Sequence, residues 1–360
     1  MSAGPPGPGA IDVHAHLVPP GLLDSVRAGA APAVTIADTG GGPVLRAGAD
    51  RLGPLRPAMT DPRARLRWMA GHSIAQQWIS PWLDLFTWHQ FAPAEARGWA
   101  ALVDRSLAAL ADSSEGRLLP VPHIDLAAAA EGAPDGDSLA GAVAHAQAMG
   151  APAVLVNTHP AEGRSLADPS LEPAWATISA LGMPVLLHPP VNGPSCAFTP
   201  PVLQNVAGRL TDTSAAVTEL IVSGLLERLP ALKLIVVHGG GFLPYQSFRL
   251  DGLVRAGLLD GTGATRAPSA VIARLLFDTV GLDAASIEFL VRRVGGEHVL
   301  LGSDAPFPIG DPDPVGTILA TCLPDDVRQQ ICRGNAQALG GPPARAGRDT
   351  SPAAAIHDRR

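Results

Sequence analysis

Short apolar runs recur along the chain, each the length of a β-strand and most ending in a Gly, Pro, Asn or Asp. They occupy residues 10–16 (AIDVHAH), 74–81 (IAQQWISP), 117–124 (RLLPVPHI), 152–158 (PAVLVNT), 184–190 (PVLLHPP), 232–240 (LKLIVVHGG), 274–280 (RLLFDTV) and 298–306 (HVLLGSDAP). Between them, apolar residues return every three or four positions, the period of an amphipathic helix. In the segment 213–230, Val217, Leu220, Ile221, Leu225 and Leu226 form one stripe, Thr211 to Ser214 offer N-capping oxygens, and Pro230 marks the stop. Eight strands alternating with helices predict an α/β fold, a closed (βα)8 barrel. An open doubly wound sheet shares the alternation, but no GxGxxG follows the first strand.

The apolar pattern spans residues 10–340, read as a single catalytic domain, while 1–9 and 341–360 are rich in Pro, Gly, Ala and charge without periodicity and are expected to be flexible. Long connections follow the first strand (residues 17–62) and the fifth (residues 189–210); the latter is apolar enough to predict a lid or an interface segment.

The strand assignment gives the histidines their meaning. Alternation along 11–16 turns Asp12, His14 and His16 to one face and Ile11, Val13 and Ala15 to the other. In a (βα)8 barrel the C-terminal ends of all strands open onto one mouth. His14 and His16 end the first strand, His188 the fifth, His238 the sixth and Asp304 the eighth, so five side chains able to bind a metal or carry protons converge there. His123 and His159 also lie near strand ends and are read as structural. Nitrogen donors with one carboxylate suit zinc, with manganese as the alternative. His14, His16, His188 and Asp304 are therefore the expected ligands of one divalent ion. His238, followed by three glycines, is the expected acid–base group outside the coordination sphere, and Asp304 the second proton-carrying candidate. The only lysine, Lys233, starts the sixth strand at the opposite end of the barrel, so no lysine is available to bridge two metals.

A net charge of −7 without a basic stripe argues against nucleic acid or an anionic membrane as the main partner and leaves a small molecule. Three cysteines, Cys196, Cys322 and Cys332, form neither a CxxC nor an even set, which fits a reducing cytoplasm.

The segments IDVHAHLVPP, MTDPRARLRWMAG, VLLHPP, GLLERLPALKLIVVHGGGFLPYQSFR, GGEHVLLGSDAPFPIG and ICRGNAQALGG, spread over residues 11–340, resemble the amidohydrolase superfamily. Within it they are similar to the metal-dependent decarboxylase branch that includes aminocarboxymuconate-semialdehyde decarboxylase. The resemblance implies a distorted (βα)8 barrel, places His14, His16, His188 and Asp304 at the metal-ligand positions, and matches His238 to the histidine that works on water. It puts Arg249 where relatives bind a substrate carboxylate, in some across a dimer interface, and implies a further arginine in the first loop, Arg51 or Arg56. Phe198 is the expected aromatic neighbour of the substrate. Leu282 stands where many relatives carry a histidine, so substrate contacts on that side are expected to differ from those of the muconate decarboxylase. The implied activity is non-oxidative decarboxylation of an aromatic or conjugated acid by a homodimer. Hydrolysis of a lactone, ester or amide at the same site is the nearest alternative, and a non-catalytic barrel the more distant one.

Overall fold

The computed structural model describes residues 9–86, 91–127, 139–160, 164–190, 202–259 and 263–340. Phe198, residues 1–8 of the N-terminal stretch and the tail 341–360 lie outside them.

All eight expected strands form. They are β1 (Ala10–His16), β5 (Ile74–Ser80), β6 (Leu118–Pro120), β7 (Val154–Asn157), β8 (Val185–His188), β9 (Leu234–Val236), β10 (Leu276–Asp278) and β11 (Val299–Leu300). Regular parallel pairing runs in two arcs, β1–β5–β6 and β7–β8–β9–β10–β11. Single bridges join the arcs at both seams, His123 with Leu155 and Ala15 with Ala305. Backbone hydrogen bonds accompany each bridge: Ile124 N donates to Leu155 O at 2.9 Å, and His16 N to Ala305 O at 2.8 Å. The strands thus follow one another round a (βα)8 barrel whose two arcs meet through single bridges rather than continuous ladders.

Side-chain alternation divides the core. Leu155, Leu186 and Ile235 pack with Ile11, Val13, Trp78, Leu119 and Leu300 in a cluster supplied almost wholly by strands, which is the barrel interior. Their neighbours Val154, Val156, Val185, Leu187, Leu234 and Val236 face outward and meet the helix stripes, including Trp175, Val217, Leu220 and Ile287. Strict alternation fails in β1. Its register with β5 breaks between Asp12 and Ala15, so Val13 stays with the interior cluster while Ala15 joins the outer layer. Such an irregularity re-aims side chains at a barrel rim, and here it accompanies the convergence of His14 and His16.

The long first connection carries a helix, Pro20–Arg27, and a three-stranded antiparallel sheet of β2 (Thr35–Thr39), β3 (Gly42–Ala47) and β4 (Asp50–Leu52), and one other expectation is corrected. Most of β2 is exposed, so it lacks the alternation that would have marked it. The helix expected over 213–230 begins earlier and breaks. It runs Arg209–Val222, interrupts at Gly224 (φ +72°), and resumes over Leu225–Arg228. Thr211, Thr213 and Ser214 therefore lie inside the helix, where their hydroxyls donate to the carbonyls of Ala207, Arg209 and Leu210 instead of capping it. Among the described residues no helix is long and apolar enough to cross a membrane.

The helix Pro93–Ser113 stores a pH dependence. Asp104 has a buried Oδ1 without a hydrogen-bond partner, and burial raises its pKa from 3.8 to about 7 against the nearby Arg105 charge. Between those values the folded chain keeps a proton that the unfolded chain releases, so this group costs stability as pH rises from about 4 to 7. Asp104→Asn is expected to leave Tm unchanged near pH 4 and raise it by about 2–4 °C at pH 8, as read by a thermal melt at each pH.

Candidate active site

Four imidazoles gather at the strand ends. The rings of His14, His16 and His188 sit 5.0–5.1 Å apart, and His238 lies 5.2 Å from both His14 and His188. Asp304 joins them, with Oδ1 3.3 Å from His16 Nε2 and 3.6 Å from His14 Nε2, and Oδ2 3.9 Å from His238 Nε2. His14, His16, His188 and Asp304 are all buried.

Each of the three closest imidazoles is oriented through Nδ1. His14 Nδ1 meets Asp278 Oδ2 at 2.6 Å, His188 Nδ1 the carbonyl of Pro189 at 2.8 Å, and His16 Nδ1 the Ser80 hydroxyl at 2.9 Å and the Pro81 carbonyl at 3.4 Å. A carbonyl or carboxylate can only accept, so in the neutral imidazole, the form a metal binds, these contacts put the proton on Nδ1 and leave Nε2 a bare lone pair. His14 and His16 then bring two such lone pairs to 3.1 Å, and His188 Nε2 and Asp304 Oδ1 are buried without any hydrogen-bond partner. Buried acceptors pressed together are unfavourable unless a cation lies between them. The donor chemistry fits a divalent ion held by His14, His16, His188 and Asp304, and the two metal-competent groupings, His14–His16–His188 and His14–His238–Asp304, overlap at His14.

The electrostatics agree. Burial lowers the His188 pKa well below 6.5, helped by the surrounding imidazoles, and lowers His238 to about 4, so both are neutral at pH 7. Burial works against charging His14, yet Asp278, Asp304 and Asp12 leave its pKa raised, which reports a surplus of negative charge around it. Burial also works to raise the Asp304 pKa, but His16, His14 and His238 outweigh it and hold the carboxylate at about 2.

Backbone geometry presents the two proton-carrying candidates. His238 (φ +55°) and Asp304 (φ +58°) both occupy the left-handed region, which costs a side-chain-bearing residue about 1–3 kcal/mol and persists where surrounding contacts enforce it. Around His238 the enforcement comes from Asp278 Oδ1, which accepts from Gly239 N at 3.2 Å, and from Ser214 Oγ, which accepts from Phe242 N at 3.0 Å. Gly241 (φ +62°) allows this packing, since a Cβ there would lie 2.5 Å from both the Leu210 carbonyl and Ser214 Oγ. Asp304 N donates to His14 O at 2.8 Å. Asp12, buried beneath, accepts from Ser303 N at 3.0 Å and from Gln77 Nε2 at 2.6 Å, while Arg65 donates to Gln77 Oε1 at 2.8 Å and to His16 O at 2.9 Å. Gly302 lets β11 close onto this layer, because a Cβ would meet the Asp278 and His14 Cβ atoms at 3.1–3.2 Å.

The structure brings together His14, His16, His188, His238 and Asp304. It does not bring the arginines. Arg51 lies on β4, Arg56 precedes the short helix Pro57–Thr60, and Arg249 lies on the helix Leu243–Arg255; all three are exposed in the single chain. His123 stacks on Phe86 with ring centroids 4.3 Å apart, and His159 Nδ1 meets Thr158 Oγ1 at 3.0 Å, so neither joins the imidazole cluster. Asp278 and Arg209 were missed. Asp278 ends its strand as His188 does, a signal the residue pattern did contain. Arg209 is partly buried, and its charge acts on Asp304, Asp84, His188 and His238; no sequence feature marked it.

Over 164 residues the chain is 30% identical to 2-amino-3-carboxymuconate-6-semialdehyde decarboxylase of Dictyostelium discoideum, an alignment covering 45% of each protein, so the match spans about half the length of that relative. The solved structure of 5-carboxyvanillate decarboxylase from Sphingomonas paucimobilis superposes with a TM-score of 0.74 at 20% identity, covering 92% of this chain and 99% of that one. A dihydroxybenzoic acid decarboxylase from a Polaromonas species, solved with bound manganese and 2-nitroresorcinol, superposes with a TM-score of 0.69 at 21% identity, covering 92% and 96%. The amidohydrolase family model matches residues 11–339, essentially the whole barrel, and the chain belongs to that family.

Proposed function

We propose that this protein is a metal-dependent, non-oxidative decarboxylase of an aromatic or conjugated carboxylic acid. The observation that carries the reading is the set of buried, proton-free donor atoms at the barrel mouth: Nε2 of His14, His16 and His188 with Oδ1 of Asp304. These four residues would hold one divalent ion. Manganese bound in the Polaromonas relative supports a hard, oxygen-binding ion of that kind, and zinc suits the three imidazoles equally. The ion would supply positive charge to the substrate's oxygens as electrons move into the ring.

The chain's own groups then handle the proton. Loss of carbon dioxide leaves the electrons of the broken C–C bond on the ring carbon, which must receive a proton. Asp304 is ionised at neutral pH and so has to be loaded first; a phenolic or enolic hydroxyl beside the departing carboxylate gives its proton to the Asp304 carboxylate, which delivers it to carbon. His238 Nε2, 3.9 Å from Asp304 Oδ2, is neutral and positioned to hold or return that proton on the second oxygen. Asp278, bonded to His14 Nδ1 and to Gly239 N, keeps the ligand and the His238 turn in register.

Exposed Tyr245 (74%) and Phe248 (71%) flank Arg249 on the helix Leu243–Arg255, which supports a homodimer in which Arg249 serves a neighbouring mouth. The odd cysteine count supports a cytoplasmic setting. Hydrolysis is the reading to be tested against. Purified protein, stripped with a chelator and reloaded with manganese or zinc, is expected to release carbon dioxide from at least one member of a panel of hydroxybenzoates, and stripped protein to release none. Acid release from lactones without carbon dioxide from any acid would replace this reading with the hydrolase.

A further inference from the structure

One buried cation belongs neither to the proposed ligand set nor to the proton path. Arg65, on the helix Pro62–Gly71, is 3% exposed, yet among the described residues it forms no ion pair. Its guanidinium donates only to neutral oxygens: Gln77 Oε1 at 2.8 Å, His16 O at 2.9 Å and Ala58 O at 3.5 Å. The carboxylate nearest along these bonds stands one side chain further on. An arginine has no acceptor, so Gln77 has one orientation, with Oε1 toward Arg65 and Nε2 donating to Asp12 Oδ2 at 2.6 Å. Asp12 is fully engaged: Oδ1 accepts from His14 N at 3.1 Å and from Ser303 N at 3.0 Å, and Oδ2 also accepts from the Ser303 hydroxyl. The relay Arg65–Gln77–Asp12 thus ends on the main chain of the segments that carry His14, His16 and Asp304.

That main chain is irregular. From Asp12 to Ala15, β1 takes three steps beside two of β5, from Gln77 to Ile79, so it carries an extra residue where His14 stands. Asp304, next to Ser303, has its φ of +58° and donates from its amide to His14 O at 2.8 Å. Backbone of this kind persists only where surrounding groups hold it. As a stability device the relay is a poor choice, because a buried cation and carboxylate separated by a carboxamide are both desolvated with little direct attraction, and apolar side chains of similar size commonly do as well or better. What it supplies is a fixed spacing between β1 and the turn after β11. We infer that Arg65 is a positioning residue for the metal ligands: it fixes His16 through its carbonyl, and His14 and Asp304 through Gln77 and Asp12, and so sets how tightly the ion is held. This rests on the ligand set proposed above. Groups behind the ligands change metal affinity about 10–100-fold. Arg65 makes no hydrogen bond to an imidazole, so its effect travels through the main chain, unlike that of Asp278, which acts on the His14 proton.

The test measures manganese and zinc affinity by competition against a chelator, with thermal melts of the stripped and loaded proteins. The variants are Arg65→Met, Arg65→Lys, Ser303→Ala and the double variant Arg65→Met/Ser303→Ala. Arg65→Met is expected to bind either ion about 10–100-fold more weakly than the natural chain. Arg65→Lys, which keeps the charge but not the planar fork, is expected to recover part of that loss. Arg65 and Ser303 are joined only through Gln77 and Asp12, so in a relay the double variant loses less than the product of the two single losses. A merely structural arginine would lower the melting temperature of stripped and loaded protein alike and leave affinity unchanged. Unchanged affinity in Arg65→Met, or single losses that simply multiply, overturns the inference. Where Arg65→Met does not fold, the same cycle is built from Arg65→Lys and Ser303→Ala and read in the same way. The natural chain separates this inference from its foundation: if it takes up neither ion, the ligand set falls and the inference with it, whereas tight binding that Arg65→Met retains removes the inference alone.

Discussion

Asp304→Asn is expected to lower carbon dioxide release about a thousandfold in protein reloaded with metal, the scale of a lost general acid–base group. The size follows from two tasks falling on one side chain. Its Oδ1 is a buried acceptor with no hydrogen-bond partner, 3.3 Å from His16 Nε2, which suits it to the proposed cation; its Oδ2 faces His238 at 3.9 Å and is the oxygen proposed to carry the proton. Asparagine keeps one coordinating oxygen and nearly the same shape but cannot take up and release a proton at neutral pH. Metal content and turnover are therefore measured on the same sample. A variant that retains metal and loses turnover assigns the proton step to Asp304. One that retains metal and more than a tenth of the natural rate assigns it elsewhere, with His238 the remaining candidate.

The left-handed backbone at His238 and Asp304 bears on how much could be read in advance. Strand periodicity locates all eight barrel strands, and the rule that strand ends share one mouth collects His14, His16, His188, His238 and Asp304 from the sequence alone. That worked because one strongly expressed physical pattern, apolar alternation in a buried parallel sheet, carries the polar residues along with it. What escaped lacks such a pattern. β2 is an exposed strand and shows no alternation. Thr211 to Ser214 read as caps because a hydroxyl's partner depends on where the helix starts, and the turn Gln204–Gly208 started it sooner. Arg209 could not be separated from the other arginines, since whether a guanidinium faces solvent or a catalytic mouth is decided by tertiary packing.

Asp278 gives the sharpest test of whether the imidazoles are ligands or only a buried polar cluster. Its two oxygens do different work: Oδ2 accepts from His14 Nδ1, while Oδ1 accepts from Gly239 N and Val280 N, each at 3.2 Å. Asp278→Asn cannot serve both sides. With its oxygen toward the two amides, its NH2 meets His14 Nδ1, which must then accept; the ring proton moves to Nε2 and occupies the lone pair a cation needs. Turned the other way, the NH2 faces two N–H donors and the His238 loop loses its anchor. Either orientation is expected to weaken manganese or zinc binding about 10–100-fold, measured by competition against a chelator of known affinity, while turnover at saturating metal falls much less. If the cluster were merely structural, Asp278→Asn would lower thermal stability with and without metal alike and leave metal affinity unchanged. A loss of affinity that vanishes on reverting residue 278 to aspartate, with the stripped protein's melt little altered, identifies His14 Nε2 as a ligand atom held proton-free by the carboxylate behind it.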